Sequence, residues 1–261
     1  METVWITGAS SGIGEACAYR WAEGGARLVL TAPTAEELEP VAAKCREKGA
    51  PDVAIFPYDL RYPDGIPALV KDAWEAFGSI ETTYLNAGIS QRTSVEDTSM
   101  EMVRTLMEID YFAPAAIAKE LLPRMVARGG GHIAVTTSIA GKFGFPLRCG
   151  YCSAKAALYG FFESLQAENY DKGIRVTLVC PGRVRTNISL RALDKGGQPH
   201  GKMDPGQAGG ITTEKAARII VKAVRKGRRE VLVGSKELVM VYIKRFFPGL
   251  CARLARVIKP M

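Results

Sequence analysis

Histidine is scarce: the 261 residues contain only two, His132 and His200. Zinc sites and nucleophilic triads both draw on imidazole, so neither has much to build with here. The six cysteines, at positions 17, 45, 149, 152, 180 and 251, show no paired framework. A chain of this size without one reads as a reduced, intracellular protein. The C-x-x-C of Cys149 and Cys152 has no second pair and no histidine nearby, so it reads as two unpaired thiols, with no metal. No window reaches the ~20 uninterrupted apolar residues that span a bilayer. The chain opens METVWITG, strand-like at once, so no signal peptide is expected ahead of the fold. A cytoplasmic location follows as the expectation. Repeats and low-complexity segments are missing too.

What is present is apolar bulk and positive charge. Hydrophobic residues make up 47% of the chain, enough for the core of one large domain. The net charge is +8, and much of it sits in Lys222–Glu230 and near the C-terminus. These basic stretches lack interleaved aromatics and any base-reading motif, so no nucleic-acid partner is expected. An anionic cofactor or an anionic lipid surface suits the charge better.

Short β-branched runs alternate with longer helical stretches. Candidate strands start at Thr3, Arg27, Val53, Thr82, His132, Arg175 and Glu230, and candidate helices fall near 13–24, 35–48, 64–77, 98–128, 151–171 and 213–226. Most of the strands are apolar on both faces, as in a covered parallel sheet. The alternation implies βαβ units, an α/β fold with helices on both sides of the sheet. One irregular stretch, 187–210, is long enough to be a functional lid.

The first strand runs into TGASSGIG, Thr7 to Gly14, and then a helix. Glycines at 8, 12 and 14 permit a tight turn and close backbone approach to a pyrophosphate, with the positive end of a helix behind. A rival reading takes GASSG as a nucleophile elbow with Ser10 as nucleophile. It needs a histidine, and His132 opens an apolar strand while His200 sits in the polar loop.

Four stretches together resemble the short-chain dehydrogenase/reductase family, in its compact form. They are Thr7–Gly14, the Asn86-Ala87-Gly88 triplet, Ser138, and Tyr151 with Lys155 followed by the Pro181–Thr186 segment. The likeness covers about 200 residues in order and spacing. The basic, apolar tail and YCSAKAALYGFFESLQAE look most like the dehydrogenase/reductase subgroup called member 7. The resemblance implies one Rossmann-like, doubly wound parallel sheet of about seven strands over residues 1–235, with 236–261 as a tail on or extending from that domain. It also implies an NAD(P)-dependent oxidoreductase.

Roles follow from the resemblance by position. Gly8, Ser10, Ser11, Gly12, Ile13 and Gly14 would form the phosphate and ribose turn. Asp59 and Leu60 would flank the adenine, Asn86, Ala87 and Gly88 would support the cofactor, and Pro181, Gly182, Val184 and Thr186 would hold the nicotinamide end. Tyr151 would be the general acid/base, Ser138 would bind the reacting oxygen, and Lys155 would bind the nicotinamide ribose. Residues four apart share a helix face, so Lys155, together with the positive charge of an oxidised nicotinamide, is expected to lower the Tyr151 pKa from its usual value of about 10. One departure stands out: Asp110 occupies the place of the family's asparagine, where a carboxylate can pair with Lys155 and blunt that effect. The alternative reading is a dinucleotide-binding sensor or scaffold with weak turnover.

The second strand ends without an acid between Thr31 and Thr34, which favours NADP over NAD, and the Thr34 hydroxyl is a candidate for the 2′-phosphate. Phe143, Phe145, Pro146 and Leu147 read as an apolar pocket wall, which points to a lipophilic alcohol or carbonyl. In the tail, Leu238, Val241, Tyr242, Phe246 and Leu250 are expected to line one face, with Lys244, Arg245, Arg253 and Arg256 snorkelling. That face suits a lid, a homo-oligomer contact (dimer or tetramer) or a membrane surface.

Overall fold

A computed structural model describes residues 1–257. Seven parallel strands form one sheet in the order β3-β2-β1-β4-β5-β6-β7. They are β1 (Thr3–Thr7), β2 (Arg27–Thr31), β3 (Val53–Ile55), β4 (Thr82–Leu85), β5 (Gly131–Thr136), β6 (Ile174–Pro181) and β7 (Glu230–Val233). Strand order reverses between β1 and β4, which pair in parallel from Val4↔Thr82 to Thr7↔Leu85. A crevice opens at such a reversal, outside the carboxyl ends of the strands. β3 is shorter than the apolar run suggested, although Phe56 and Tyr58 still donate from their N–H groups to the Leu30 and Ala32 carbonyls at 2.9 and 2.8 Å.

Side-chain alternation sends successive residues to opposite layers. Val4, Ile6, Leu28 and Leu30 join one buried core, with Trp21 of α1 (Gly12–Ala22), Leu38 of α2 (Ala35–Glu47) and Ile220 of α8 (Thr213–Arg225). Trp5 and Val29 join the other, with Val70 of α3 (Ile66–Glu75), Ile117 of α5 (Ala113–Ala127) and Phe162 of α6 (Cys149–Asn169). The anticipated long helix over 98–128 is divided. α4 (Met100–Met107) gives way to a π turn at Glu108–Phe112 before α5 begins, and Pro114 sits in the first turn of α5, where its missing N–H costs little.

The short α7 (Pro205–Ala208) lies within the 187–210 stretch. α9 (Val239–Phe246) and α10 (Pro248–Ala255) close the described chain, and residues 258–261 of the expected tail lie outside it. Phe143, Phe145, Leu238, Met240, Val241 and Cys251 pack into a third, smaller core. The tail face is therefore split: Leu238 and Val241 turn inward, whereas Tyr242, Phe246 and Leu250 stay exposed.

Candidate active site

The turn after β1 is shaped by steric necessity. Gly8 and Gly12 adopt φ of 62° and 61°, in the left-handed region. A Cβ at Gly14 would come 2.1 Å from the Gly8 carbonyl oxygen, so α1 starts against the turn only because nothing is there. No side chain caps the first turn of α1, leaving its N–H groups available to an anion. Asn86 braces the turn from β4, donating from Nδ2 to the Gly8 carbonyl at 3.2 Å and accepting from Thr136 Oγ1 at 3.2 Å.

This turn borders a cavity of about 490 Å³ along the carboxyl ends of the strands. Gly8, Ser10, Ser11, Gly12, Ile13, Asp59, Leu60, Asn86, Ala87, Gly88, Ser138, Tyr151, Lys155, Pro181, Gly182, Val184 and Thr186 all line it. A glycine cradle, an uncapped helix N-terminus and an elongated cleft fit a dinucleotide. Gly14 lies under the turn and Asp110 behind the cleft wall.

Two expectations are corrected. Thr34 does not line the cleft; its hydroxyl caps α2 by accepting from the Glu37 N–H at 3.4 Å, and Glu37 itself reaches the cleft edge. Phe143, Phe145, Pro146 and Leu147 do not line it either, because the two phenylalanines face the C-terminal helices. Nor does either histidine: His132 is bonded through Nε2 to Thr177 Oγ1 at 2.8 Å, away from Ser10. Lining residues that the motifs did not mark include Arg92, Arg148, Arg191, Leu193 and Gln207. Arg148 stands three residues before Tyr151, and its place in that motif was the available signal.

Ser138 caps the 3-10 turn after β5, accepting from the Ala140 N–H at 3.1 Å. α6 carries Tyr151 and Lys155 on one face, with the Lys155 ammonium 5.7 Å from the Tyr151 ring centroid. That ammonium donates to the Thr136 carbonyl at 3.1 Å and lies 3.5 Å from Asp110 Oδ2. Asp110 is fully buried in the π turn, and its Oδ1 accepts from the Ile89 N–H at 2.8 Å. Oδ2 has no hydrogen bond of its own and faces the ammonium as an ion pair. A Cβ on Gly88 would sit 3.1 Å from both Asp110 Oδ1 and Lys155 Nζ, so the pair forms beside a residue that must be small.

The electrostatics run against the expected direction. Burial, and then the Asp110 carboxylate, push Tyr151 up to about 12, against the Ser138 hydroxyl and the Arg148 guanidinium, which favour the phenolate. Lys155 does not overcome this, because its charge is shared with Asp110. Burial also raises the Asp110 carboxyl above the usual carboxylate range, while Lys155 pulls it down.

The short chain dehydrogenase family model matches residues 2–195. The chain belongs to that family. Such a protein is an NAD(P)-dependent oxidoreductase acting on CH–OH and C=O groups. Dehydrogenase/reductase SDR family member 7B of Bos taurus is 37% identical over 257 residues, spanning 96% of this chain and 79% of that relative. Dehydrogenase/reductase SDR family member 7 of Homo sapiens is 36% identical over 260 residues, spanning 94% of this chain and 74% of that relative. A solved alcohol dehydrogenase from the archaeon Thermococcus sibiricus, complexed with 5-hydroxy-NADP, superposes with a TM-score of 0.76 at 28% identity, over 90% of this chain and 97% of that one. A short chain dehydrogenase/reductase from Burkholderia phymatum in complex with NAD gives 0.83 at 22% identity, over 100% and 96%, and so shares the fold.

Proposed function

We propose that this short chain dehydrogenase moves hydride reversibly between a nicotinamide dinucleotide and an alcohol or carbonyl, with Tyr151 as general acid/base. The bound dinucleotide supplies or accepts the hydride and, when oxidised, a positive charge. The chain supplies the rest. Ser138 holds the reacting oxygen, Tyr151 delivers or removes its proton, and Lys155 binds the ribose and orients the site. A phenol held near 12 is protonated at neutral pH but is a weak acid, so efficient donation calls for nearby positive charge that lowers it. The observation that carries this reading is the placement of Ser138, Tyr151 and Lys155 in one wall of the cleft that the glycine turn opens. The test is Tyr151→Phe: turnover should fall about 10²–10⁴-fold while dinucleotide affinity is kept. Undiminished turnover would sink the assignment.

The Asp110–Lys155 pair favours a second reading, a dinucleotide-binding sensor of weak turnover. Tight dinucleotide binding with no turnover of any ketone or alcohol in a broad panel would establish it. For the cofactor we propose NADP, because no carboxylate stands between Thr31 and Thr34. Glu37 at the cleft edge opposes a 2′-phosphate, so the preference rests on the balance of these two features. We propose an alcohol or carbonyl that occupies the end of the cleft bounded by Ile109, Ile188 and Leu193, which keeps a lipophilic portion in the substrate.

A further inference from the structure

The cleft also holds a cationic cluster whose charge exceeds what its one carboxylate can balance. Arg92 follows β4, Arg148 directly precedes α6, and Asp204 comes from the stretch leading into α7. Arg92 donates from Nε to Asp204 Oδ1 and Oδ2 at 3.2 and 3.1 Å, and from Nη2 to Oδ2 at 2.6 Å. Arg148 Nη2 donates to the same Oδ2 at 2.8 Å. The side chains of Arg92 and Asp204 are 3% and 6% exposed and that of Arg148 is 20% exposed, so a buried and a partly exposed guanidinium share one buried carboxylate. Such a cluster keeps one uncompensated positive charge, and its desolvation is costly.

The two arginines are not equally satisfied. Arg92 places Nη1 on Ser90 Oγ at 2.9 Å and on the Gln91 carbonyl at 2.5 Å. Arg148 has no such set: its Nε is buried without a partner, and its side chain lines the cleft three residues before Tyr151. Its base is anchored, since the Leu147 carbonyl accepts from the Thr93 N–H at 3.2 Å. Arg191 also lines the cleft. The carboxylates that line the cleft among the described residues, Glu37 and Asp59, lie at the other end beside Pro33 and Leu60, and Asp59 is tied to Arg61.

We propose that the substrate carries an anionic group, a carboxylate or a phosphate, and that Arg148 receives it. Arg92 and Asp204 act as positioning residues that hold the Arg148 guanidinium in place. A planar guanidinium with unused donors is suited to bidentate capture of either oxyanion. The anion meets the part of the Arg148 guanidinium that its 20%-exposed side chain presents to the cleft, and offsets the surplus charge. The inference deepens the oxidoreductase reading and rests on it for the reacting carbonyl. The substrate becomes a ketone or alcohol with an apolar portion against Ile188 and Leu193 and one charged end.

Calorimetric binding to the full chain saturated with reduced dinucleotide tests this. The probes are matched straight-chain ketones ending in a carboxylate, a phosphate monoester or a methyl ester. The wild type should bind at least one anionic ketone about tenfold or more tightly than the ester. The anion that gains more identifies the group. Arg148→Ala should erase the preference, and Arg148→Lys should retain part of it; if the alanine variant does not fold, Arg148→Gln carries the comparison. Equal binding of all three ketones by the wild type overturns the proposal, as does a preference that survives removal of the guanidinium. Turnover of the same ketones is read separately. Selective binding of anions without turnover sinks the oxidoreductase reading and leaves the anion site standing.

Discussion

The Asp110 carboxylate is cut off from water and depends on a backbone N–H and one ammonium group for its charge. It therefore sets the field at Tyr151. Replacing it by asparagine removes the second-largest influence holding the phenol at about 12 and frees Lys155 to act on it. Asp110→Asn should shift the pH–rate profile of alcohol oxidation to lower pH, since the phenolate then forms more readily. Initial rates across pH 6–11 measure this, and an unchanged midpoint would show that Asp110 does not act on Tyr151. Glu37 offers a second single-residue test. With its carboxylate at the cleft edge, Glu37→Gln should tighten NADP relative to NAD, most clearly at low salt. Dissociation constants for both dinucleotides read this out, and equal change in the two would show that the carboxylate plays no part. Gly14→Ala forces a methyl group against the Gly8 carbonyl, and overpacking of this kind costs about 1–3 kcal/mol. Loss of both dinucleotide binding and thermal stability is the expected result.

The π turn between α4 and α5 is the element that brings Asp110 inward. One extra residue in a helical turn rotates the following side chains, and such turns recur at functional sites. Periodicity in the sequence shows a continuous helix there, because a single inserted residue leaves the apolar pattern on either side intact. The 187–210 stretch is a second element whose behaviour comes from tertiary contacts. It is tied to the segment after β4 by the reciprocal bonds of Ser90, Arg92 and Leu193, and by the Asp204 ion cluster. Burial works against the Asp204 carboxylate, but Arg92, Arg148 and His200 hold it below the usual carboxylate range. A group depressed in the folded state contributes stability that is present above its unfolded pKa, about 3.9, and lost as pH falls. Asp204→Ala leaves the buried Arg92 guanidinium unpaired beside the partly exposed Arg148, a loss of about 3–5 kcal/mol where one partner of a buried pair is removed. Hydrogen exchange should show 187–210 opening first in that variant at neutral pH, whereas wild type should open this stretch only as the solution is acidified.

At the scale of the whole molecule, the sheet and its two helical layers leave one surface that the fold does not cover. On α9 and α10, Tyr242, Phe246, Phe247 and Leu250 are exposed alongside Lys244, Arg245 and Arg253. Among the described residues, none of these lines the cleft. Among the described residues no helix is long and apolar enough to cross a membrane. We propose that this face meets an anionic lipid surface, with aromatic rings inserted and basic side chains at the headgroups. Phe246→Ser with Phe247→Ser should abolish co-sedimentation with vesicles containing anionic lipid and leave turnover intact. Retained co-sedimentation, or none in the wild type, favours the competing subunit contact, which sedimentation velocity would show as a dimer or tetramer dissociating in the variant.

The amino-acid order by itself determined the alternating elements, the glycine turn, and the spacing of Ser138, Tyr151 and Lys155, because each is a local pattern of size, backbone freedom or period. It also marked Asp110 as a departure. Only the tertiary structure decided how the charges meet. Arg92, Arg148 and Asp204 lie far apart in the chain, and no local pattern links them. Phe143 and Phe145 read as a substrate wall but turn to the C-terminal helices, because an apolar run does not say which of two apolar neighbours it will cover. Thr34 read as a phosphate ligand, and its hydroxyl went to the start of α2. The sequence leads one to expect a more acidic phenol at 151, through its lysine neighbour and an oxidised nicotinamide. Among the chain's own groups, burial and a carboxylate from another element push it the other way, since long-range fields depend on distances that sequence separation does not contain.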